Sequence, residues 1–237
     1  GYLAGRTRKI VVGTSVIVLP YRNPLVTAKA AATVDQVSGG RFVFGVGVGW
    51  DEEEFRNLGL PFRRRGRMSD EYIRVIKAAW ESDVPEFKGE YLSFAGAHFS
   101  PRPLQRPHPP IWVGGSPGVV SAPSVRRVAE MCDAWHPLGL GLDDLAKGAA
   151  EIQRIAIRLG RRDAPRLAPR NLVTLTDRPQ GSGRAPFSGS PDEVAADLRR
   201  ARELGADWFT FDLPREGVGA MARAIERFVR DVKPAVG

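Results

Sequence analysis

Apolar positions along the chain alternate between runs that suit strands and patterns that suit helices. Lys9–Leu19 (KIVVGTSVIVL) is β-branched and apolar almost throughout, as in a strand buried on both faces of a parallel sheet. Pro20 stops it. Asn23 offers a helix cap with Pro24 at the first helical position. That helix is predicted to reach about Val37, where Ser38-Gly39-Gly40 ends it. Arg41–Trp50 (RFVFGVGVGW) is the next strand, Asp51–Arg67 a polar loop, and Met68–Ser82 a second helix. Residues 83–110 break the alternation. They are rich in proline and aromatics and read as a short hairpin followed by an extended arm.

The alternation then resumes. Pro110–Gly115 (PIWVGG) is a buried strand, followed by a helix that includes Val125–Met131, the strand DAWHP and a helix over Asp143–Leu159. Leu172–Thr176 is a strand and Gly181–Gly189 a loop. Ser190-Pro191-Asp192-Glu193 makes a capping box with proline at N1, opening a helix to about Leu204. Asp207–Leu213 is the last strand and Ala220–Val232 the last helix. Six strands, most followed by helices through short connections, fit a doubly wound sheet or a (β/α)8 barrel. A barrel needs two strands more. The opening GYLAGRTRKI reads as the tail of a helix running into a strand, so the expectation is a single domain over residues 1–237 that lacks its start.

Glycine occupies every second position in the strand of residues 41–50: Gly45, Gly47 and Gly49. Alternation places all three on one face, which is bare for about 13 Å. Two explanations stand open. A flat ligand lies against the backbone, or a crowded core or bulge leaves no room for Cβ atoms. In either α/β architecture ligands meet the C-terminal ends of the strands. Thr14–Leu19, Gly47–Trp50 and Gly114–Ser116 reach that edge. Gly114-Gly115-Ser116 before a helix suits an anion, although it also suits an ordinary turn.

Composition and missing motifs narrow the chemistry. The chain has 237 residues, is 43% hydrophobic and carries a formal charge of +8. Its basic residues are spread out, without the aromatic-interleaved patch of a nucleic-acid binder. Cys132 is the one cysteine, so an internal disulfide is impossible. His98, His108 and His136 lack metal-ligand spacing, which argues against zinc. G-x-G-x-G without the final glycine disfavours a dinucleotide fold, and neither a P-loop nor a G-x-S-x-G elbow occurs. No apolar run is long enough to span a membrane and no signal peptide is seen, so the cytoplasm is the expected compartment. His136, at a strand end, fits a ligand contact or a structural histidine. Arg63-Arg64-Arg65 precede a helix, where pairing with Asp70, Glu71 or Glu52–Glu54 is expected.

The segments GTSVIVLPYRNPLVTAKAAATVDQVSGGRFVFGVGVGWDEEEF, LGLPFRRRGRMSDE, PRPLQRPHPPIWVGG, DAWHP and GSPDEVAADLRRARELGAD together resemble the luciferase-like monooxygenase superfamily. The combination R-N-P, S-G-G-R, G-V-G-W and P-x-x-R-G-x-R looks most like its F420-dependent branch. The resemblance implies a (β/α)8 TIM barrel, here without its first two β/α units. It implies a flat coenzyme across the barrel mouth: F420, with FMN as the alternative. Ser15-Val16 match the third-strand bulge, where relatives often hold a non-prolyl cis peptide behind the ring. Gly47 and Gly49 would flank the ring and Trp50 the substrate. Gly114, Gly115 and Ser116 would hold the coenzyme phosphate, with His136 near the ligand. Arg63, Arg64, Arg65 and Arg67 are candidates for the acidic tail of F420. Pro117–Pro123 looks like an insertion that moves the following helix away from the phosphate. The implied activity is hydride transfer between F420 and a small organic substrate. The alternatives are an FMN-dependent monooxygenase fed by a separate reductase and a non-catalytic flavin-binding relative. A homodimer is expected, because an incomplete barrel exposes strand edges.

Overall fold

The computed structural model describes residues 1–96, 98–212 and 216–237. It divides into two compact units, residues 1–114 with 131–133, and residues 115–130 with 134–237. Each is built from helices and short, mostly parallel strands.

In the first unit a helix, α1 (Tyr2–Arg6), leads to strands β1 (Val12–Gly13) and β2 (Ile17–Val18). Both pair in parallel with β3 (Phe42–Gly47). Val12 and Gly13 lie opposite Phe42 and Val43, and Ile17 and Val18 opposite Val46 and Gly47. From Gly13 to Ile17 is four steps, whereas Val43 to Val46 is three. One extra residue is therefore inserted, which defines a bulge at Thr14-Ser15-Val16. The single strand expected over Lys9–Leu19 is thus two, and Ile10 and Val11 are exposed rather than buried. The cause is local. The Gly45 carbonyl, next in the ladder for the N–H of Val16, accepts instead from the Thr14 hydroxyl at 2.7 Å.

The helix α2 (Pro24–Ser38) starts and stops where the sequence places it. The Asn23 side chain accepts from the N–H groups of Leu25 and Val26, and Gly39 closes the helix in the left-handed region at φ 69°. All of β3 is buried. Phe44 meets Trp80 edge-on at 5.4 Å, and the Trp80 indole donates to the Ala28 carbonyl on α2. The polar stretch after Trp50 is not simply a loop. It contains helix α3 (Glu52–Asn57), capped by Asp51, with three glutamates in its first turn that suit the helix dipole. Its one buried residue, Phe55, packs against Tyr21 and Phe62.

Helix α4 (Arg65–Glu81) follows. Its buried Glu71 accepts from the N–H groups of Glu90, Tyr91 and Leu92 at 2.7–2.8 Å. This pins the expected hairpin, β4 (Phe87–Lys88) with β5 (Ser93–Phe94). Buried Asp35 holds the arm in the same way, accepting from the N–H groups of Leu104 and Gln105. Strand β6 (Ile111–Gly114) pairs in parallel with β3.

The second unit begins with the turn at Gly115 and helix α5 (Ala122–Met131). Strand β7 (Ala134–His136) is followed by α6 (Leu142–Arg158) and pairs in parallel with β8 (Arg166–Leu167), a strand too short to show in the sequence. The strand expected over Leu172–Thr176 is divided. Its parts, β9 (Arg170–Leu172) and β10 (Thr174–Leu175), serve different neighbours: β9 pairs with β12 (Thr210–Asp212), and β10 with β11 (Ser188–Gly189). Leu213, the expected end of the last strand, lies outside the described residues. Helix α7 (Pro191–Glu203) opens with the complete capping box of Ser190 and Glu193. Helices α8 (Val218–Asp231) and α9 (Lys233–Val236) close the chain. Among the described residues no helix is long and apolar enough to cross a membrane, and no cluster of His, Cys, Asp or Glu could hold a metal.

Candidate functional site

The glycine face of β3 is filled by the bulge beside it. A Cβ on Gly45 would lie 1.9 Å from the Thr14 carbonyl oxygen, and one on Gly47 2.7 Å from Val16 Cγ2. Gly114, at the end of β6, meets the same side chain, at 3.2 Å from Val16 Cγ1. Close packing therefore accounts for Gly45 and Gly47. The side chain that packs on them is Val16, which remains 37% exposed. The Ser15–Val16 peptide is cis and non-prolyl, the form that the resemblance implies at this bulge. The first unit thus presents a small apolar side chain seated on three bare glycines.

Gly49 is a different case. It takes φ +78°, where glycine is favoured, and a Cβ there would strike Phe55 and Val18. Trp50 follows with 78% of its surface exposed. The backbone here is anchored by Arg65, which donates to the Gly49 and Phe62 carbonyls and stacks 3.8 Å over the Phe62 ring. Arg64 pairs at 3.4 Å with Glu90, not with the carboxylates that the sequence suggests, and both partners are exposed. Tyr21 donates to Glu54, and its own pKa is pushed up to about 12, by burial first and then by that carboxylate.

In the second unit, Gly115 and Ser116 form the turn after β6. The Gly118 N–H donates to the Leu138 carbonyl, and Val119 donates back to Ser116. Gly115 has room beside it: a Cβ would sit in ordinary contact, 3.5 Å from Pro137 Cα and 3.8 Å from Trp135 Nε1. Ser116 is exposed. His136 is 2% exposed, and its Nδ1 lies against the Ala168 carbonyl. A carbonyl only accepts, so Nδ1 carries the proton and Nε2 is an acceptor. Burial lowers the His136 pKa below its ordinary value. The Ala168 carbonyl opposes this shift, Arg170 adds to it, and Asp212 opposes it. The imidazole is therefore neutral at pH 7.

Sequence reasoning overlooked three residues here. Arg170 grips Asp212 through Nε and Nη2 at 2.9 and 2.7 Å, joining the paired strands β9 and β12. No spacing in the sequence links residues 42 positions apart. Trp135 reads only as a strand residue, yet its ring packs on Gly148 so closely that a Cβ there would be 2.1 Å from Cη2. A glycine inside an otherwise regular helix was the available signal.

Comparison with known proteins places this geometry. The luciferase-like monooxygenase family matches residues 1–181, and the chain belongs to that family of oxidoreductases. Nearer relatives refine the picture. The chain is 36% identical over 137 residues to the FMNH(2)-dependent dimethylsulfone monooxygenase of Pseudomonas putida. That match covers 56% of this chain and spans only about a third, 36%, of the relative's length. Among solved structures, a monooxygenase from Streptomyces bottropensis superposes with a TM-score of 0.84 at 19% identity, covering 99% of this chain and 80% of that one. The coenzyme F420 dependent tetrahydromethanopterin reductase from Methanopyrus kandleri gives 0.79 at 19% identity, covering 100% and 86%. At such identity these two show the shared α/β fold alone.

Proposed function

We propose that this chain acts as an FMN-dependent monooxygenase on a small organic substrate, with reduced flavin supplied by a separate reductase. The observation that carries this reading is the 36% identity to a relative whose name specifies FMNH(2) and oxygenation. F420 and hydride transfer, implied by the short motifs, have support of another kind: a shared fold at 19% identity and a charge of +8 that would suit an acidic tail. The sequence relative is the stronger guide to coenzyme, since folds host many chemistries.

The residues present fit a flavin. Val16, raised on Gly45, Gly47 and Gly114, offers an apolar surface for one face of a flat ring. Ser15 and Gly49 would contribute backbone beside it, and Trp50 an exposed apolar surface for substrate. Within the second unit taken by itself, a Cβ on Gly115 would make only ordinary contacts, and the exposed Ser116 would offer a hydroxyl to an anion. His136 keeps a neutral ring whose Nε2 accepts rather than donates. When bound, reduced flavin would supply the electrons for oxygen activation. This chain's residues would orient the ring and exclude water. A homodimer is the proposed assembly, and light scattering at the 25.9 kDa monomer mass would contradict it.

The test is a single turnover. The protein is mixed with photoreduced FMN, air and a panel of small sulfur, amide and carbonyl compounds. A product heavier by one oxygen atom supports the proposal. In a parallel mixture with F420 in place of FMN, bleaching or regeneration of the F420 absorbance by a substrate, with no oxygenated product from the FMN mixture, overturns it.

A further inference from the structure

The second unit holds an indole N–H that no group among the described residues uses. Trp135 is 1% exposed, and its Nε1 has no hydrogen-bond partner among the described residues. Buried polar groups are nearly always paired, and an indole N–H can only donate. The ring has no freedom to turn toward another acceptor. Its benzo edge lies against Gly148 of α6, where even a methyl group would come within 2.1 Å of Cη2. That packing aims the opposite edge, with Nε1, at the turn after β6. There the Cβ position that Gly115 leaves vacant lies 3.8 Å from Nε1.

We infer that Trp135 is a positioning residue for the flavin phosphate: its indole N–H donates to a phosphate oxygen seated at Gly115 and Ser116. This rests on the flavin reading above and goes beyond it by naming a side-chain donor. The logic is one of complementarity. A phosphate oxygen accepts strongly, and bonds to a charged acceptor are stronger than neutral ones. The donor is already desolvated, so pairing it costs no further loss of water. Gly115 fits the same account, because a side chain there would occupy the space the oxygen needs. Gly148 fits it as the residue that fixes the ring.

The arrangement would also let the turn before α5 hold an anion without relying on the N-terminus of that helix. Helix α5 begins only at Ala122. The second unit compensates with a rigid side-chain donor from a buried strand.

The experiment is calorimetric titration of the whole chain with FMN and with riboflavin, which differs by lacking the phosphate. It compares wild type, Trp135→Phe and Gly115→Ala. Phenylalanine retains an aromatic ring but removes the donor. Alanine at 115 makes only ordinary contacts, so it keeps the fold while filling the space. In wild type FMN binds more tightly than riboflavin. Both variants weaken FMN by about tenfold or more, as expected for loss of a charge-assisted hydrogen bond, and leave riboflavin within about twofold. Equal weakening of both ligands would make Trp135 a packing residue and overturn the inference. So would unchanged FMN binding in Trp135→Phe. Failure of wild type to bind either flavin would overturn the flavin reading itself, which distinguishes the two failures. If Trp135→Phe melts with lost cooperativity, 3-benzothienylalanine incorporated at position 135, which keeps the ring and lacks only the N–H, decides by the same ratio of FMN to riboflavin.

Discussion

The contact between Gly47 and Val16 makes a quantitative demand on stability. Replacing Gly47 by alanine puts a Cβ 2.7 Å from Val16 Cγ2. Gly47 lies in the fully buried strand β3, so the methyl group cannot turn away. Overpacking of this kind costs about 1–3 kcal/mol. Against it stands the smaller gain from restricting the unfolded chain, about 0.4–1 kcal/mol for glycine to alanine. A net loss of about 1–2 kcal/mol follows, which lowers the melting temperature by about 2–8 °C at this chain length. Val16→Ala removes Cγ2 and with it the collision. In that background Gly47→Ala should be neutral or slightly stabilising. The double-mutant cycle, read from urea unfolding midpoints, should therefore give a favourable coupling of about 2 kcal/mol. Additive losses, with no coupling, would refute the claim that the glycines exist to seat Val16. Gly45→Ala supplies the contrast. Its Cβ would meet the Thr14 carbonyl oxygen at 1.9 Å, a backbone atom that trimming a side chain does not remove, so Val16→Ala should not rescue it.

Other outcomes follow from single residues. Asn23→Ala should cost about 1 kcal/mol by removing the cap of α2, measured by urea unfolding. Glu193 has its pKa lowered to about 2, first by the Gln180 N–H, with Ser190 and Gly181 also donating. Its stabilising share is present above its ordinary value of 4.5 and is lost as pH falls toward 2, so the stability gap to Glu193→Gln should close over that range. The lowered pKa of His136 acts in the opposite place. Above 6.5 both folded and unfolded forms are neutral and nothing is gained. Below 6.5 the unfolded form takes the proton first, and stability falls. Imidazole nitrogen shifts should show a neutral, Nδ1-protonated ring at pH 6.5, and a charged ring there would contradict its burial.

Elements whose ends carry their own chemistry were legible in the sequence. Asn23, Pro24 and Gly39 bound α2, and Ser190 with Glu193 opens α7, because caps are local interactions. The bulge at Ser15-Val16 was legible through resemblance, whereas the apolar run alone read as one continuous strand. Its interruption depends on a hydroxyl bonding to a carbonyl 31 residues away. Helix α3 was hidden because its burial rests on Phe55 alone within a charged run. The glycine face showed a different limit. Alternation revealed which residues shared a face, but not that Val16, from another strand, would cover it. Trp135 was missed for the same reason. Its significance lies in an unpaired nitrogen, and pairing is a property of the folded chain.

Coenzyme identity tests the central claim most directly. The measurement is equilibrium titration of this chain with FMN and with F420, followed by fluorescence in the same buffer. The account predicts micromolar binding of FMN and at least tenfold weaker binding of F420. Tight binding of F420 with none of FMN would contradict it and return the chain to hydride transfer.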